Sequence, residues 1–426
     1  MASFSPTTAR AKFPALQQSH QIYFDNAGGS QALGTVASSV KDYLEETNVQ
    51  LGASYDVAKQ STESYGRGLE AAAGFIGAAS DEIVIGPSTT QLFSNLSLIL
   101  NLPPGSEIII SSLDHEANIS PWVRLAKLYN HTIKWWPAAP ASPTHASPSP
   151  ILTSENLKPL LSEKTALVTC THASNVLGTI HDVKEIAQTV HMIPGAKLCV
   201  DGVALAPHRE VDVKALGVDF YAFSWYKVYG PHIAILYASR DAQRNLGSLG
   251  HYFHTGTNIE TKIGLASASY ELVAALPSIV SYFGPDKSAT WAAIAAHEEK
   301  LQGILLRYLR SRDDVTIHGE KSADKELRVP VVSFTVNGRS SKDIVDGIES
   351  KSNFGCRWGH FYSKRMVDDL LGLGGCDGVV RVSMVHYNTE EEIERIDRGK
   401  VRTLKDLPVL VRPLVLSFID ASILAT

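Results

Sequence analysis

The sequence predicts an α/β fold in which a large, mostly parallel sheet is covered by helices on both faces and followed by a smaller C-terminal α/β domain. Three observations predict it. Short β-branched and apolar runs alternate with longer amphipathic stretches over most of the chain. Most of these runs are too apolar to keep one face in water, as strands buried on both faces must be. After about residue 260 the alternation gives way to long helical stretches with fewer strands.

The strand candidates of the large sheet are 83–85, 107–111, 165–170, 197–201, 218–224 and 233–237. The stretch 137–150, PAAPASPTHASPSP, continues neither a helix nor a central strand, because its prolines lack amide donors, and it reads as a surface excursion within the large domain. Helical patterns cover 260–279 and 286–310, then strand-like 329–336, helix-like 341–350, strand-like 378–384 and an acidic-start helix after Asn388. The expected division is an N-terminal segment, 1–32, that returns to the small domain and the active site, a large domain over 33–280, and a small domain over 281–426.

Composition narrows the partners. The 426 residues carry 39 Lys and Arg against 44 Asp and Glu, a net charge of −5, which offers no field for nucleic acid and no basic block for an anionic membrane. Small metabolites are the expected partners. The four cysteines, Cys170, Cys199, Cys356 and Cys376, show no paired metal-ligand spacing, so no metal site is expected and reduced thiols inside a cell are. No run of about 18 apolar residues exists to span a bilayer, and the N-terminus has no apolar leader segment. A cytoplasmic protein is the simplest expectation, with the basic, acid-free first 18 residues leaving organelle targeting open.

The densest chemical signal lies between residues 169 and 231. Asp201 ends a very apolar strand, where open α/β sheets present ligand-binding groups, and a carboxylate there can pair with a protonated pyridine nitrogen. Lys227 follows another apolar strand within FYAFSWYKVYGPH; desolvation would free its amine for a Schiff base, while by itself it reads more readily as an exposed lysine. Gly86 to Gln91, GPSTTQ, supplies small residues and the hydroxyls of Ser88 and Thr90 at a helix start, suited to a phosphate and equally to an ordinary cap. His115, in SSLDHEAN after strand 107–111, can lie flat on a ring and move a proton, or be a polar loop residue.

In this order the pieces resemble the aminotransferase class V family of pyridoxal-phosphate (PLP) enzymes, especially its cysteine-desulfurase-like branch, which includes fungal secondary-metabolism enzymes. The resemblance runs from YFDNAGG at 23–29 through THASNVLG at 171–178 and VDGVALAPH at 200–208 to VRVSMVHYNTEEEIERI at 380–396. It implies the fold-type I architecture with a seven-stranded large sheet, and PLP as cofactor. It also implies roles. Thr90, beside Ser88 and Thr89, resembles the phosphate-loop threonine, His115 the residue stacked on the ring, and Asn175 the amide near the phenolic oxygen. Asp201 resembles the pyridine-nitrogen partner, Ser224 a phosphate ligand and Lys227 the Schiff-base lysine. The family's site is assembled at a homodimer interface, where Gly256, Thr257 and Asn258 resemble the segment reaching the neighbour's phosphate. Arg381 resembles the arginine that grips the substrate α-carboxylate, a task suited to its planar fork, with Asn26, Ala27 and Gly28 as the loop beside it.

The departures bear on the reaction. Ala204 stands where a glutamine is common three residues after the aspartate, and Tyr226 stands where a histidine commonly precedes the lysine, retaining a hydroxyl for the phosphate but no imidazole. In CRWGHFY, 356–362, Tyr362 holds the place of the persulfide-forming cysteine of the desulfurases, and a phenol cannot replace that thiolate. Cys356 has a different spacing and reads as an inert thiol, while Cys376, in LGLGGCDG, reads as part of a substrate-side loop. Of His251, His254, His360 and His386, candidates for substrate contacts, His360 is the one assigned.

The resemblance therefore implies a small L-amino acid that displaces Lys227, followed by external aldimine and quinonoid chemistry in which Lys227, His115 and Asp201 are catalytic. Lyase or carbon–carbon bond-forming chemistry is favoured, including decarboxylative aldol chemistry with an aldehyde co-substrate. An aminotransferase and a PLP-binding protein with reduced catalysis are the alternatives; a dinucleotide-binding dehydrogenase lacks the glycine-rich turn it would need.

Overall fold

The computed structural model describes residues 5–138, 149–266 and 268–397. The proline-rich excursion falls mostly on 139–148, and the end of the expected small domain on 398–426, outside the described residues.

Seven strands form one sheet: β1 Ile83–Gly86, β2 Glu107–Ser111, β3 Thr132–Trp136, β4 Thr165–Thr171, β5 Lys197–Asp201, β6 Phe220–Ser224 and β7 Ala234–Ala238. Their spatial order is β1-β7-β6-β5-β4-β2-β3. All pairs are parallel except the two made by β7, which runs against β6 and β1. The apolar runs are explained by the two cores. Ile109, Val168, Leu198, Val200, Tyr221 and Phe223 face one layer, while Ile108, Ile110, Leu167, Cys199, Phe220 and Ala222 face the other, so each central strand is apolar at consecutive positions.

Strand β3 was not expected from the sequence. It is one of the two edge strands, with exposed and half-buried residues up to the buried Trp136, so it lacks the doubly apolar signature of the others. The long helix expected over 260–279 is instead three short ones, Ile259–Ile263, Tyr270–Ala274 and Leu276–Tyr282. Gly264 ends the first and Pro277 starts the third, which an unbroken helix would not tolerate in its interior.

A second, antiparallel sheet contains β8 Val315–His318, β9 Val331–Val336, β10 Arg357–Gly359 and β11 Val379–Ser383, in the order β10-β11-β9-β8. Its core is filled by Leu301, Leu305 and Leu309 of the helix Lys287–Arg310 and by Ile344, Val345 and Ile348 of the helix Ser341–Lys351. The N-terminal segment returns here, with Ile22–Tyr23 pairing in parallel with Phe354–Gly355. Among the described residues no helix is long and apolar enough to cross a membrane.

Candidate active site

Because β1, β2, β4, β5 and β6 run the same way, their C-terminal ends share one edge, where ligands of open α/β sheets bind. That edge gathers Gly86–Thr90, His115, Asn175, Asp201 and Ser224–Lys227.

After β1 the chain enters the helix Thr89–Ile99, whose N-cap is Ser88: its Oγ accepts the Gln91 amide at 3.1 Å. The first amides of such a helix lack intrahelical acceptors and favour an anion. Thr89 is buried and its hydroxyl lies 2.8 Å from Ser224 Oγ, so the helix start abuts the end of β6; Thr90 is exposed.

Lys227 closes the short turn Trp225–Lys227 that follows β6. The turn is fixed from below and beside. Tyr229 takes a left-handed backbone (φ 60°), costly for a residue with a side chain, while Ser30 Oγ accepts its amide at 2.9 Å and Pro207 accepts its hydroxyl at 2.6 Å. The backbone carbonyl of Tyr226 accepts Ser30, and the Tyr226 ring stacks on His232 with centroids 4.8 Å apart. Burial, reinforced by the charge of Arg381 and opposed by Asp201 and Asp25, brings the Lys227 ammonium down to about 8. Burial likewise raises the Asp201 carboxyl to about 6, against the Val203 amide, 2.9 Å from Oδ1, and the charge of Lys227.

Asp201 owes its place partly to Gly202, where a methyl group would lie 2.2 Å from the buried Tyr221 ring. Gly202→Ala is expected to cost about 1–3 kcal/mol of stability through overpacking, read as an earlier urea midpoint at unchanged slope.

His115 is held by its Nδ1, which accepts the Ala117 amide at 3.0 Å, leaving the ring proton on Nε2. Burial, with Lys227 and Arg381 adding to it, pushes its imidazole down to about 4, so it is neutral near pH 7. Tyr362 lies against it, ring centroids 5.2 Å apart, on a segment in which Phe361 and Tyr362 both have positive φ. Asn175 holds that segment from both ends of its amide: Nδ2 donates to the Phe361 carbonyl at 3.0 Å and Oδ1 accepts Ser363 Oγ at 2.9 Å. Arg381, on β11 and 2% exposed, donates from Nη1 to the Asn175 carbonyl at 3.1 Å and from Nη2 to Asp25 Oδ1 at 2.7 Å. Its guanidinium carbon lies 3.8 Å from the Phe361 ring centroid, and its buried Nε has no acceptor.

The other assigned residues divide. Asn26 is buried with its amide engaged by the carbonyls of Tyr23 and Ser383, by Asn388 and by the Tyr387 hydroxyl, so it shapes the loop rather than offering a free group. Ala27 is anchored through its amide to Ser383 Oγ, and Gly28 packs on Asp25. His360 is exposed. Gly256 and Thr257 stand on an exposed loop, and no hydrogen bond joins them to the Lys227 turn among the described residues. Cys356 is buried in the small-sheet core, its thiol pushed up to about 12 by burial, as expected of an inert group. No group of three or more potential metal ligands occurs among the described residues. Sequence reasoning missed Asp25 and Phe361, although both lie in quoted motifs, because their partner Arg381 is more than 300 positions from Asp25 and 20 from Phe361.

The residues present fit a PLP molecule: an amine of lowered pKa for the aldehyde, a buried carboxylate for the ring nitrogen, a helix start with hydroxyls for the phosphate, and an arginine with an unpartnered Nε for a substrate carboxylate. The comparisons agree. The family model for aminotransferase class-V matches residues 22–396. The chain is 55% identical over 399 residues, 93% of its length and 97% of the other, to the aminotransferase-like protein FGM3 of Gibberella zeae. It is 43% identical to the cysteine desulfurase-like protein ustD of Aspergillus flavus, over 91% of this chain and 88% of that one. Among solved structures, the apo cysteine desulfurase of Thermococcus onnurineus NA1 superposes with a TM-score of 0.84 at 24% identity, over 96% of this chain and 100% of that one, and bears on the fold alone. A lysine turn and a buried aspartate at one sheet edge, with a family match spanning both sheets, place this chain in the aminotransferase class V family of PLP-dependent enzymes, in its cysteine-desulfurase-like branch.

Proposed function

We propose that this enzyme acts on a small L-amino acid as a lyase or a carbon–carbon bond-forming catalyst, including decarboxylative aldol chemistry with an aldehyde co-substrate, and not as a cysteine desulfurase. The observation that carries the reading is Tyr362, an exposed phenol beside His115 where sulfur transfer needs a thiolate. PLP, when bound, supplies the electron sink for the bond broken at the substrate Cα.

The chain's own residues do the rest. Lys227, with an amine near 8, holds the cofactor and then moves a proton at Cα, its pKa being close to the working pH. Asp201 keeps a negative charge at the ring nitrogen. His115, whose Nδ1 is occupied, offers its face and the Nε2 proton. Arg381 would hold the α-carboxylate and so orient the substrate's Cα for the reaction. Ser88, Thr89, Thr90 and Ser224 would hold the phosphate, with the Tyr226 hydroxyl beside them and Gly256 and Thr257 supplied by the second subunit of a homodimer. Asn175 retains one amide hydrogen for the cofactor after bonding Phe361. The enzyme works in the cytoplasm.

A panel of L-amino acids, with and without aldehydes, followed by product identification, tests this. The expected result is an elimination product or a condensation product, with no sulfide from L-cysteine. Accumulation of a keto acid together with a stable pyridoxamine form would make it an aminotransferase instead, and no turnover with any substrate would favour a PLP-binding protein.

A further inference from the structure

We propose that Asp25 is an internal competitor of the substrate carboxylate: it shares Arg381 and yields towards Arg357 when a carboxylate takes the Nε–Nη2 edge of that guanidinium. The inference rests on the reading of Arg381 as the carboxylate holder and adds a residue that tunes it.

Three features carry it. First, the Arg381 fork is used unevenly. Nη1 is committed to the Asn175 carbonyl and Nη2 to a single oxygen of Asp25, while Nε, on the same edge as Nη2, is buried without an acceptor. A buried N–H left bare is destabilising, and a planar guanidinium edge takes a carboxylate through two parallel bonds, so this edge is shaped for a second acceptor. Phe361 covers one face of the guanidinium and leaves the in-plane edge as the route of approach.

Second, Asp25 has somewhere to go. Its Oδ2 is already 3.5 Å from Nη1 of Arg357, a half-exposed cation on the neighbouring strand β10. The Asp25 backbone stays put, because Phe24 is hydrogen-bonded on one side to Gly355 (2.8 Å) and on the other to Ser383 (2.7 Å). Only the side chain needs to turn. Third, a glycine leaves the Asp25 carboxylate uncrowded on the side of Oδ2, the oxygen that faces Arg357: a Cβ at Gly28 would stand 2.9 Å from Oδ2.

Between two arginines and one aspartate, an incoming carboxylate restores one anion per cation. Asp25 thus lowers affinity for carboxylates while holding the guanidinium in plane for them.

The test uses propionate, which carries a carboxylate and no amine, titrated into the cofactor-loaded protein and followed by cofactor absorbance and tryptophan fluorescence. Asp25→Asn keeps the hydrogen-bond acceptor and removes the charge. It is expected to bind propionate about 5-fold more tightly than the parent, in the range of a partly exposed ion pair, while Arg381→Gln loses propionate binding. Unchanged or weaker binding by Asp25→Asn, with binding lost in Arg381→Gln, would overturn the proposal and leave the reading of Arg381 standing. Undiminished binding by Arg381→Gln would overturn both. Crystals of the parent soaked in propionate give a measurement that needs no variant. A propionate oxygen on Nε with Asp25 turned to Arg357 supports the exchange, and a bare Nε with the Asp25–Arg381 contact intact refutes it.

Discussion

Lys227→Ala removes the visible absorption of the lysine-linked cofactor and lowers turnover by on the order of 10²–10⁴-fold, the span of a lost general base, with a further loss from the missing covalent attachment. Its physical basis is the lowered ammonium. With a pKa of about 8, roughly one amine in ten is neutral at pH 7, against about one in three thousand for an unperturbed lysine. Only the neutral amine attacks an aldehyde, so the rate at which cofactor-free protein captures PLP rises with pH and levels off above about 8. In Arg381→Gln one source of the downward shift is gone, and the midpoint moves up. A flat capture rate between pH 6 and 10, or an unchanged spectrum in Lys227→Ala, would contradict the assignment of this amine.

Asp201→Asn is expected to lower turnover by roughly 10²–10⁴-fold, the equivalent of the 3–5 kcal/mol that breaking a buried ion pair costs, while the protein still takes up PLP through Lys227. The carboxylate is buried and bonded to the Val203 amide alone among the described side-chain contacts, so a cationic ring nitrogen is the partner its environment lacks. The amide is isosteric and cannot supply the charge. Separation of the two effects, absorbance retained and turnover lost, distinguishes this variant from Lys227→Ala. Turnover within a few-fold of the parent would remove Asp201 from the mechanism.

The strands that carry chemistry were legible because a strand buried on both faces has to be apolar at consecutive positions, and β2, β4, β5, β6 and β7 are. Strand β3 was not, since its residues up to Trp136 are exposed or half-buried and its pattern is mixed, unlike the buried β1 at the other edge. Helices with a cap and a continuous apolar stripe are legible over their full length, as Lys287–Arg310 behind Asp286 is within the expected 286–310. The 260–279 stretch was read as one helix because its apolar residues keep a helical spacing across Gly264, where the chain in fact leaves the helix.

At the site the same divide holds. Lys227, Asp201 and the Gly86–Gln91 turn were found because each follows an apolar strand, and the direction of a parallel sheet sends every such end to one edge. By itself the sequence determined that this chain builds a doubly covered sheet, which residues stand at its ligand edge, and that no thiolate is offered at position 362. Only the tertiary structure decided that Arg381 is gripped by Asp25, Asn175 and Phe361, that both amide ends of Asn175 hold the 361–363 segment, and that Asn26 is committed to the loop. The reason is physical: sequence patterns record burial and local hydrogen bonding, whose periods are a few residues, whereas the charge around an arginine is set by whichever distant segments pack against it.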